Sequence, residues 1–477
     1  MWVGHSCPTD RVTAVENVVV PFRQLVLLAV ILSLTALTAA QISAPDERYK
    51  ADILLVVAHP DDDTVVSSYL ARAIFDQHKR VAVVFCTPGD SGSNSEGREH
   101  ARALGLVREI EARRAMNALG ITNVWFLNGR DTASQDVLLS LASWPSASVL
   151  EQTVRILRVT RPEVVMTWLP SSVAGENHGD HQASGVIATE AFDEAGDPTV
   201  FPYQTTAPVR QFENAFEGLS AWQAQKLYYF TDAFDTEFFR GHGPEYDGRQ
   251  TSPSKHVSYL QLAAQSAAAY YTQSPDPNVD RRIEAGETSP AAIGEMQKAG
   301  YLPEPVRLWL GKSHVKSAVS ADVFDGIISE PIVFHPLQAR TAPTSPNLQV
   351  DLGGFWGFYH NFWRAHELSS LTSLRPEIAV QLNDTLTIPL LVKNNTSQPQ
   401  QIAAELTLPP GWKEKNEPQQ VAVLAHTELT LALHAIAPAQ QNDSFAEIRV
   451  HARSAGKALL EGGIFVKVSP YVAGQLK

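Results

Sequence analysis

Cysteine is scarce in this chain of 477 residues, which contains only Cys7 and Cys86. No Cys-x-x-Cys pair is present, so zinc sites built on paired thiolates are excluded. Cys86 follows the apolar run 81–85 and is expected to be a buried core thiol rather than a nucleophile. If the N-terminus is removed as predicted below, only Cys86 remains, and no internal disulfide can form.

Four common catalytic or nucleotide-binding signatures are also absent from the sequence. There is no His-Glu-x-x-His, which excludes the usual metalloprotease arrangement. There is no Gly-x-Ser-x-Gly, the nucleophile elbow of serine hydrolases. Neither a phosphate-binding GxxxxGK[ST] loop nor a GxGxxG fingerprint follows the first predicted strand, so nucleotide binding has no support.

Positive charge is in deficit, because 38 lysines and arginines stand against 51 acidic residues, for a formal net charge of −13. An acidic chain repels polyanions, so neither nucleic acid nor an anionic membrane is expected as a partner. The hydrophobic fraction of 44% is ordinary for a globular protein, and 477 residues are enough for more than one domain.

A long apolar run is present near the N-terminus. Arg23 precedes it, residues 25–37 form it, and Thr38-Ala39-Ala40 follow it. This pattern predicts a secretory signal peptide over residues 1–40 and export to the periplasm or the outside of the cell. No stable membrane span is expected after cleavage, because the run is shorter than the roughly 20 residues of a span. An uncleaved signal that anchors the chain is the alternative.

The most informative segment is 54–63, Leu-Leu-Val-Val-Ala-His-Pro-Asp-Asp-Asp. A buried-type strand stops at His59, and Asp61, Asp62 and Asp63 come directly after. In an open α/β sheet, ligands bind at the carboxyl ends of the strands. Histidine and carboxylate together are ligands for a divalent metal such as zinc. The alternative is that the acids only cap the next helix.

A second group of ligand-type residues follows another strand-like segment, residues 163–169. After a loop, His178-Gly179-Asp180-His181 opens a stretch with helical periodicity. His178 and His181 would then lie on one face of a helix. Such a pair is weak evidence alone, but two ligand-rich strand ends in one domain favour a metal site.

The order of predicted elements indicates the fold. Strand candidates alternate with helix candidates, notably 65–78 and 98–119, and the strands are 52–58, 81–86, 123–127 and 163–169. Such alternation predicts a Rossmann-like, doubly wound α/β sheet, mostly parallel. The strand order of such a sheet reverses beside the first strand, where a crevice opens. If the first and fourth strands are neighbours, both groups line that crevice.

These residues together resemble the LmbE/PIG-L family of zinc-dependent N-acetylglucosaminyl deacetylases. The family pattern is matched by Ala-His-Pro-Asp-Asp-Asp at 58–63 and by His-Gly-Asp-His at 178–181, and residues 107–120 resemble the helix between them. The resemblance covers roughly residues 50–330. Asp63 stands where many members have glutamate, at a position that is not a metal ligand in the family.

The resemblance implies that His59, Asp62 and His181 bind one zinc ion per chain. Three protein ligands leave a fourth position for water, which is typical of a catalytic zinc site. Zinc supplies what amide hydrolysis needs, a nucleophilic water near neutral pH and a polarised acetyl carbonyl.

The resemblance also implies the roles of the neighbouring polar residues. Asp61 would be the general base, and His178 would stabilise the oxyanion or protonate the leaving amine. Asp180 would hydrogen-bond a histidine and fix its orientation. Helix capping is the alternative for Asp180 and the preferred interpretation of Asp63.

Substrate-binding candidates lie on the polar loop 87–94 and the helix after it. In the family this loop borders the substrate pocket, which makes Gly89 and Asp90 candidates; a flexible surface loop is the alternative. Arg108 would contact substrate or pair with a carboxylate. Pairing is favoured, because Glu111 lies one helical turn away.

The character of the sequence changes near residue 336. Residues 336–372 are predicted to be a linker or interdomain segment after a deacetylase domain at 41–335. The aromatic cluster at 353–363 favours packing between domains over sugar stacking. Short alternating runs over 373–477 predict an immunoglobulin-like β-sandwich, and Leu-Pro-Pro-Gly-Trp at 408–412 resembles a signature of NEW3-type modules.

The sequence therefore predicts an exported zinc amidohydrolase that removes acetate from an N-acetylated sugar or glycoconjugate. Two alternatives stay open. One is a non-catalytic, metal-bearing carbohydrate-binding protein, which would have no need for a spare carboxylate beside the metal. The other is a zinc amidohydrolase that acts on a different N-acyl substrate.

Overall fold

The computed structural model describes residues 46–173, 178–208, 215–233, 235–298, 300–338, 347–415, 419–442 and 444–470. The predicted signal peptide and part of the loop before His178 lie outside these ranges. Among the residues described, no helix combines the length and the apolar character that crossing a membrane requires.

The chain divides into two units. The first comprises residues 1–44 and 203–219, and its described parts are joined by backbone hydrogen bonds such as Leu219 N–H to Gln204 O at 2.7 Å. The second unit contains residues 45–202 and 220–477, and everything that follows concerns this unit.

Strands and helices alternate through the first part of the second unit. The elements up to the fifth strand are β1 (Ile53–Val57), α1 (Ser67–Phe75), β2 (Val81–Phe85), α2 (Arg102–Ala118), β3 (Asn123–Phe126), α3 (Val137–Ser143), α4 (Ser146–Thr160), β4 (Val164–Trp168), α5 (Gly179–Glu194), α6 (Pro202–Thr205, in which residues 203–205 belong to the first unit) and β5 (Lys226–Phe230). A 3-10 turn at Asp62–Val65 separates β1 from α1.

The region after β5 adds a small helical lobe and an edge strand. Its elements are β6 (Glu245–Tyr246), α7 (Tyr259–Ala267), α8 (Pro277–Glu284), α9 (Pro290–Lys298), β7 (Val306–Arg307) and β8 (Trp309–Ser313). Helices α7, α8 and α9 share a core of small and aliphatic side chains, among them Ala263, Val279 and Met296.

The central sheet has the strand order β3-β2-β1-β4-β5-β8, in which the first five strands are parallel and β8 is antiparallel. The predicted doubly wound α/β fold is confirmed. β1 pairs with β4 in the register Ile53↔Val164 to Val56↔Thr167, so the first and fourth strands are neighbours. Every residue of β1, β2, β4 and β5 is buried, because helices cover both faces of such a sheet.

The C-terminal part is a β-sandwich, as predicted. One sheet has the order β10-β17-β16-β12-β14 and the other β13-β15-β11-β9. Its strands are β9 (Leu348–Leu352), β10 (Glu377–Gln381), β11 (Thr385–Asn394), β12 (Gln400–Thr407), β13 (Lys413–Glu414), β14 (Gln419–Val423), β15 (Thr427–Ile436), β16 (Ala446–Ser454) and β17 (Lys457–Ser469). Buried and exposed residues alternate along β12, as expected for a strand with one face in a core.

The first strand of the sandwich lies inside the segment that was predicted to be a linker. β9 pairs with β11 from Leu352↔Leu390 to Leu348↔Asn394, so the sandwich begins before residue 373. The sequence of β9 alternates apolar and polar residues, which is a strand pattern. It follows a proline-containing polar stretch directly, and that stretch obscured the boundary.

The aromatic segment forms helix α10 (Gly354–Ala365), which packs against the α/β part. Phe355, Trp356, Tyr359, Phe362 and Trp363 are buried at helical spacing. Tyr359 Oη donates to Gln182 Oε1 at 2.6 Å, and Trp363 Nε1 donates to Pro170 O at 2.8 Å. The expected packing role of the aromatic cluster is confirmed, and the contact at Gln182 lies directly beside His181.

Truncation of Trp363 tests this packing. Trp363→Ala removes a side chain that is 4% exposed together with its hydrogen bond to Pro170, so the free energy of unfolding should fall by about 3–5 kcal/mol. Urea denaturation followed by circular dichroism measures the change. The control is Asn361→Ala on the exposed side of the same helix; equal stability of the two variants would contradict the packing role.

Candidate functional site

The two groups of ligand-type residues meet at the carboxyl ends of β1 and β4. His59 comes two residues after β1, and His178 is the N-cap residue of α5, which follows β4. Gly179 of the His-Gly-Asp-His motif lies close to the first turn of α3, because a Cβ there would lie 2.6 Å from Ser140 Oγ and 2.8 Å from Asp136 O. A side chain at this position would push the start of α5 away.

Asp62 is the best-anchored carboxylate of the site. Its Oδ2 accepts hydrogen bonds from Ala58 N at 2.8 Å, His59 N at 2.9 Å and Trp168 Nε1 at 2.7 Å. The other oxygen, Oδ1, lies 3.2 Å from His181 Nε2 and 3.6 Å from His59 Nδ1. Although burial opposes the charge, both histidines favour it and hold the pKa of Asp62 well below its usual value.

Carboxylates also face the outer nitrogens of both histidines. His59 Nε2 lies 3.3 Å from Asp131 Oδ1 and 3.4 Å from Asp180 Oδ2. His181 Nδ1 lies 3.7 Å from Asp232 Oδ2, beyond hydrogen-bond distance. Carboxylate, histidine and metal in this order are usual in metal sites, since the outer carboxylate fixes the ring and increases its basicity.

The distances allow a fit test for a metal. Oδ1 of Asp62, Nδ1 of His59 and Nε2 of His181 converge from three buried side chains, and nitrogen with carboxylate oxygen is a donor set that zinc accepts. Without a cation, burial disfavours a charged His59 ring, but Asp131, Asp180 and Asp62 raise its pKa well above the usual value. The residues therefore fit a divalent cation, whose charge would take the place of that proton.

Among the described residues, two groups have ligand atoms that all lie within 4.8 Å of one another, and neither group includes Asp62. One is His59, His178 and His181, and the other is His59, Asp131 and Asp180. In the first, Nδ1 of His178 already accepts the N–H of Asp180 at 3.3 Å. In the second, both oxygens of Asp180 already accept from Thr132, at 2.7 Å each. A metal site formed by Asp62, His59 and His181 leaves these hydrogen bonds in place, and we prefer this ligand set.

His178 is held as a neutral ring. Burial and the neighbouring rings of His181 and His59 lower its pKa well below the usual value. Because Nδ1 accepts the Asp180 N–H, the proton of the neutral ring sits on Nε2, which is then a hydrogen-bond donor. Of the two predicted roles, this geometry favours stabilisation of an oxyanion over protonation of an amine.

Asp61 occupies a strained turn beside Asp62. Its φ of 106° lies in the left-handed region, where a side chain is disfavoured. Tyr301 Oη contacts its Oδ2 at 2.9 Å and Gln273 O at 3.0 Å, and the hydroxyl proton can be donated to one of them at a time. Burial and the charge of Asp62 raise the pKa of Asp61 to about 8. A cation held by Asp62 would oppose this rise and favour the anion.

Asp63 points away from the metal ligands. Its carboxylate contacts Tyr270 Oη and accepts from Ser67 Oγ at 3.2 Å, in a fully buried position. Burial raises its pKa to about 7. The preferred interpretation of Asp63, helix capping, is wrong, because side chains rather than the free N–H groups of a helix end contact its carboxylate.

Arg108 does not pair with Glu111. Its guanidinium donates to Gly89 O and, at 2.8 Å, to Ser93 O, so it holds the loop after β2. Glu111 instead accepts from Thr272 N at 3.0 Å and Thr272 Oγ1 at 2.6 Å. The expected pairing with Glu111 is wrong because Thr272, distant in sequence, supplies two hydrogen bonds that satisfy this carboxylate.

A cavity of about 590 Å³ opens above the site. His59, Asp61, Asp62, His178 and His181 all line it. The loop after β2 borders it through Ser91, Gly92 and Ser93 rather than through the predicted Gly89 and Asp90, and Arg108 also lines it. Gly89 has a φ of 69° and turns its backbone toward Arg108.

Four residues of the site were not singled out from the sequence. They are Asp131, Trp168, Asp232 and Tyr301. Asp131 and Asp232 each follow a strand of the sheet, β3 and β5, and this position was a usable signal. Trp168 stacks on His181 with ring centroids 4.0 Å apart, and its N–H holds Asp62. Tyr301 lies far along the chain, and no local pattern marks it.

Comparison with known proteins agrees with this geometry. Residues 54–192 match the family model described as PIG-L, GlcNAc-PI de-N-acetylase. These residues form a PIG-L family domain. The domain contains the predicted ligands and the 178–181 motif, so the resemblance stated above is confirmed over residues 54–192. The likeness of the sandwich to NEW3-type modules stays a prediction.

Several curated relatives of the PIG-L domain are named as deacetylases. A 1D-myo-inositol 2-acetamido-2-deoxy-alpha-D-glucopyranoside deacetylase 1 from Frankia alni is 31% identical over 188 residues, which are 36% of this chain and 59% of that protein. A 1D-myo-inositol 2-acetamido-2-deoxy-alpha-D-glucopyranoside deacetylase from Geodermatophilus obscurus is 32% identical over 165 residues, which are 31% of this chain and 55% of that protein. The chain thus spans little more than half the length of these relatives.

Among solved structures, the N,N'-diacetylchitobiose deacetylase from Pyrococcus horikoshii is similar to this chain. The match has a TM-score of 0.36 and 18% sequence identity, and it covers 62% of this chain and 94% of that structure.

Metal titration tests the ligand assignment. The wild-type chain should bind about one zinc ion, and Asp62→Asn should abolish stoichiometric binding because it weakens the oxygen donor between the two histidines. Asp131→Asn should weaken binding by roughly 10- to 100-fold, as expected for an outer carboxylate. Isothermal calorimetry with zinc measures both.

The matched control is Asp52→Asn. Asp52 immediately precedes the first residue of β1, at the end of the strand away from the site, and its carboxylate accepts from Arg80 N. It should bind zinc as tightly as the wild type. An unchanged zinc affinity of Asp62→Asn would contradict the assignment. If only Asp131→Asn lost zinc binding, the cation would instead be assigned to the side of His59 that faces Asp131 and Asp180.

Proposed function

We propose that the protein is a zinc-dependent N-deacetylase that hydrolyses the acetamide of an N-acetylated sugar or glycoconjugate. The main observation that supports this proposal is the position of the Asp62 carboxylate between two histidine nitrogens. A second carboxylate, that of Asp61, lies beside it in an open cavity. Export, predicted from residues 23–40, belongs to the same proposal.

The substrate class rests on the relatives. Both are named as deacetylases of a 2-acetamido-2-deoxy-glucopyranoside, which carries its acetamide on a sugar ring. A cavity of about 590 Å³ is in the range of pockets that hold small ligands, which is room for a sugar. We therefore propose N-acetylglucosamine conjugates as the substrates.

The division of labour follows from the positions of the side chains. A bound zinc ion would supply a water of lowered pKa and would polarise the acetyl carbonyl. Asp61, anchored by Tyr301, is placed to take the proton of the attacking water. The same carboxyl can then deliver that proton to the departing nitrogen, so that the products are acetate and a free amine.

The remaining polar residues orient and stabilise. His178 donates from Nε2 toward the oxygen on which negative charge develops, a contribution of the oxyanion-hole type. Asp180 holds His59 on one side and Thr132 on the other, and its backbone N–H fixes the His178 ring. Asp180 is therefore a positioning residue that serves both histidines.

Removal of the base tests the proposed reaction. Asp61→Asn should lower acetate release from N-acetylglucosamine conjugates by about 100-fold or more, because no carboxylate then receives the proton of the water. An enzymatic acetate assay measures the rate, and Asp52→Asn is the control that should keep wild-type activity. A fully active Asp61→Asn variant would refute this base.

Removal of a single hydroxyl tests the anchoring of Asp61. Tyr301→Phe should lower kcat by roughly tenfold while KM stays within about twofold, since misplacement of a reacting group slows chemistry more than it weakens binding. The matched control is Tyr271→Phe, whose hydroxyl contacts Glu284 outside the site. A rise in KM with unchanged kcat would show that Tyr301 binds substrate instead.

A further inference from the structure

A second cavity, of about 460 Å³, lies in the helical lobe formed by α7, α8 and α9. Small side chains such as Ala267 leave this space, and the lining also includes Val279 and Met296. The lobe lies outside residues 54–192, the part that matches the PIG-L family. The cavity is therefore a feature of this chain that the family match does not cover.

The two cavities share a wall. Ser274, Pro275 and Tyr301 line both of them. Tyr301 contacts Asp61 through its hydroxyl, so the shared wall begins at the group that is proposed to act on the acetamide. The second cavity is thus adjacent to the cavity in which the acetamide would lie.

A carboxylate without a full set of partners lines the second cavity. Asp280 is 2% exposed, and among the described residues its Oδ2 has no hydrogen-bond partner. Burial raises the pKa of Asp280 to about 7, although a hydrogen bond with Ser274 opposes the rise. A buried polar atom without a partner is unfavourable, and a ligand that donates a hydrogen bond to it would relieve that cost.

We propose that this cavity is a subsite for the ring joined to the N-acetylated sugar, and that Asp280 accepts a hydrogen bond from a hydroxyl or amine of that ring. The proposal rests on the proposed function, since it extends the same substrate beyond its acetamide. Tyr270 and Tyr301 line the cavity together with Asp280, and aromatic side chains beside a carboxylate suit a polyhydroxylated ring.

The lining favours a ring over a long acyl chain. An alkyl chain has no donor for Asp280 and would leave its carboxylate unpaired in a drier cavity, which is unfavourable. Ser274, Asp276 and Lys298 add polar groups around the same space. A ring with several hydroxyls can satisfy such groups, whereas a hydrocarbon chain cannot.

The test compares substrates with one ring and with two. N-acetylglucosamine is the one-ring probe, and its α-glycoside with myo-inositol and N,N'-diacetylchitobiose are the two-ring probes. Asp280→Asn and the cavity-filling Ala267→Leu should each raise KM for a two-ring probe by about tenfold. For the one-ring probe, kcat/KM should stay within about twofold, which also shows that the variants are folded.

The control is Glu284→Gln, an acidic residue one turn further along α8 that pairs with Arg114 outside the cavity. This variant should keep the wild-type kcat and KM for the one-ring and the two-ring probes. Equal effects of Asp280→Asn on both substrates, or no effect on either two-ring probe, would overturn the proposal. So would a preference for N-butyryl over N-acetyl glucosamine that disappears in Ala267→Leu, because the cavity would then hold the acyl chain.

Direct binding separates this proposal from the proposed function. If the wild type releases no acetate from any probe, the deacetylase proposal fails, and the subsite is judged by calorimetric binding of the two-ring probes. Binding that Asp280→Asn weakens about tenfold, with the one-ring sugar unaffected, would still support the subsite. Absence of any difference between the two variants and the wild type would overturn it.

Discussion

The site depends on how the carboxylate of Asp62 is held. Three N–H donors, from Ala58, His59 and Trp168, bind one oxygen and fix the plane of the group. The other oxygen is thereby directed between His59 and His181, which belong to different strand–helix junctions. Because β1 and β4 are adjacent, the two junctions lie side by side, and the carboxylate joins them.

Parts of the chain that are distant in sequence support the residues next to Asp62 and His181. The helical lobe after β5 supplies Tyr301 and Gln273 to the strained turn at Asp61 and Tyr270 to the buried Asp63. On the opposite side, α10 contacts Gln182, the residue that follows His181. The lobe and the aromatic helix both lie outside residues 54–192, so contacts that support the site extend beyond the family match.

The sequence predicted what local patterns encode. Apolar runs that end in His59 and the acids at 61–63 indicated strands that deliver ligands to one edge of a sheet, and the helix that begins at His178 followed from periodicity. Local patterns do not predict hydrogen-bond partners that come from distant segments of the chain. Glu111 binds Thr272 rather than Arg108, and Tyr301 reaches Asp61 across 240 positions. β9 escaped notice because its short alternating run follows a proline-containing stretch without a clear break.

We propose that a divalent cation binds between Asp62 and the inner nitrogens of the two histidines. Anomalous diffraction at the zinc edge, from crystals grown with zinc, tests it most directly. We expect one strong peak within bonding distance, about 2.1 Å, of Asp62 Oδ1, His59 Nδ1 and His181 Nε2. A peak at His59 Nε2, between Asp131 and Asp180, or no peak at the site would show that the cation is not held by Asp62.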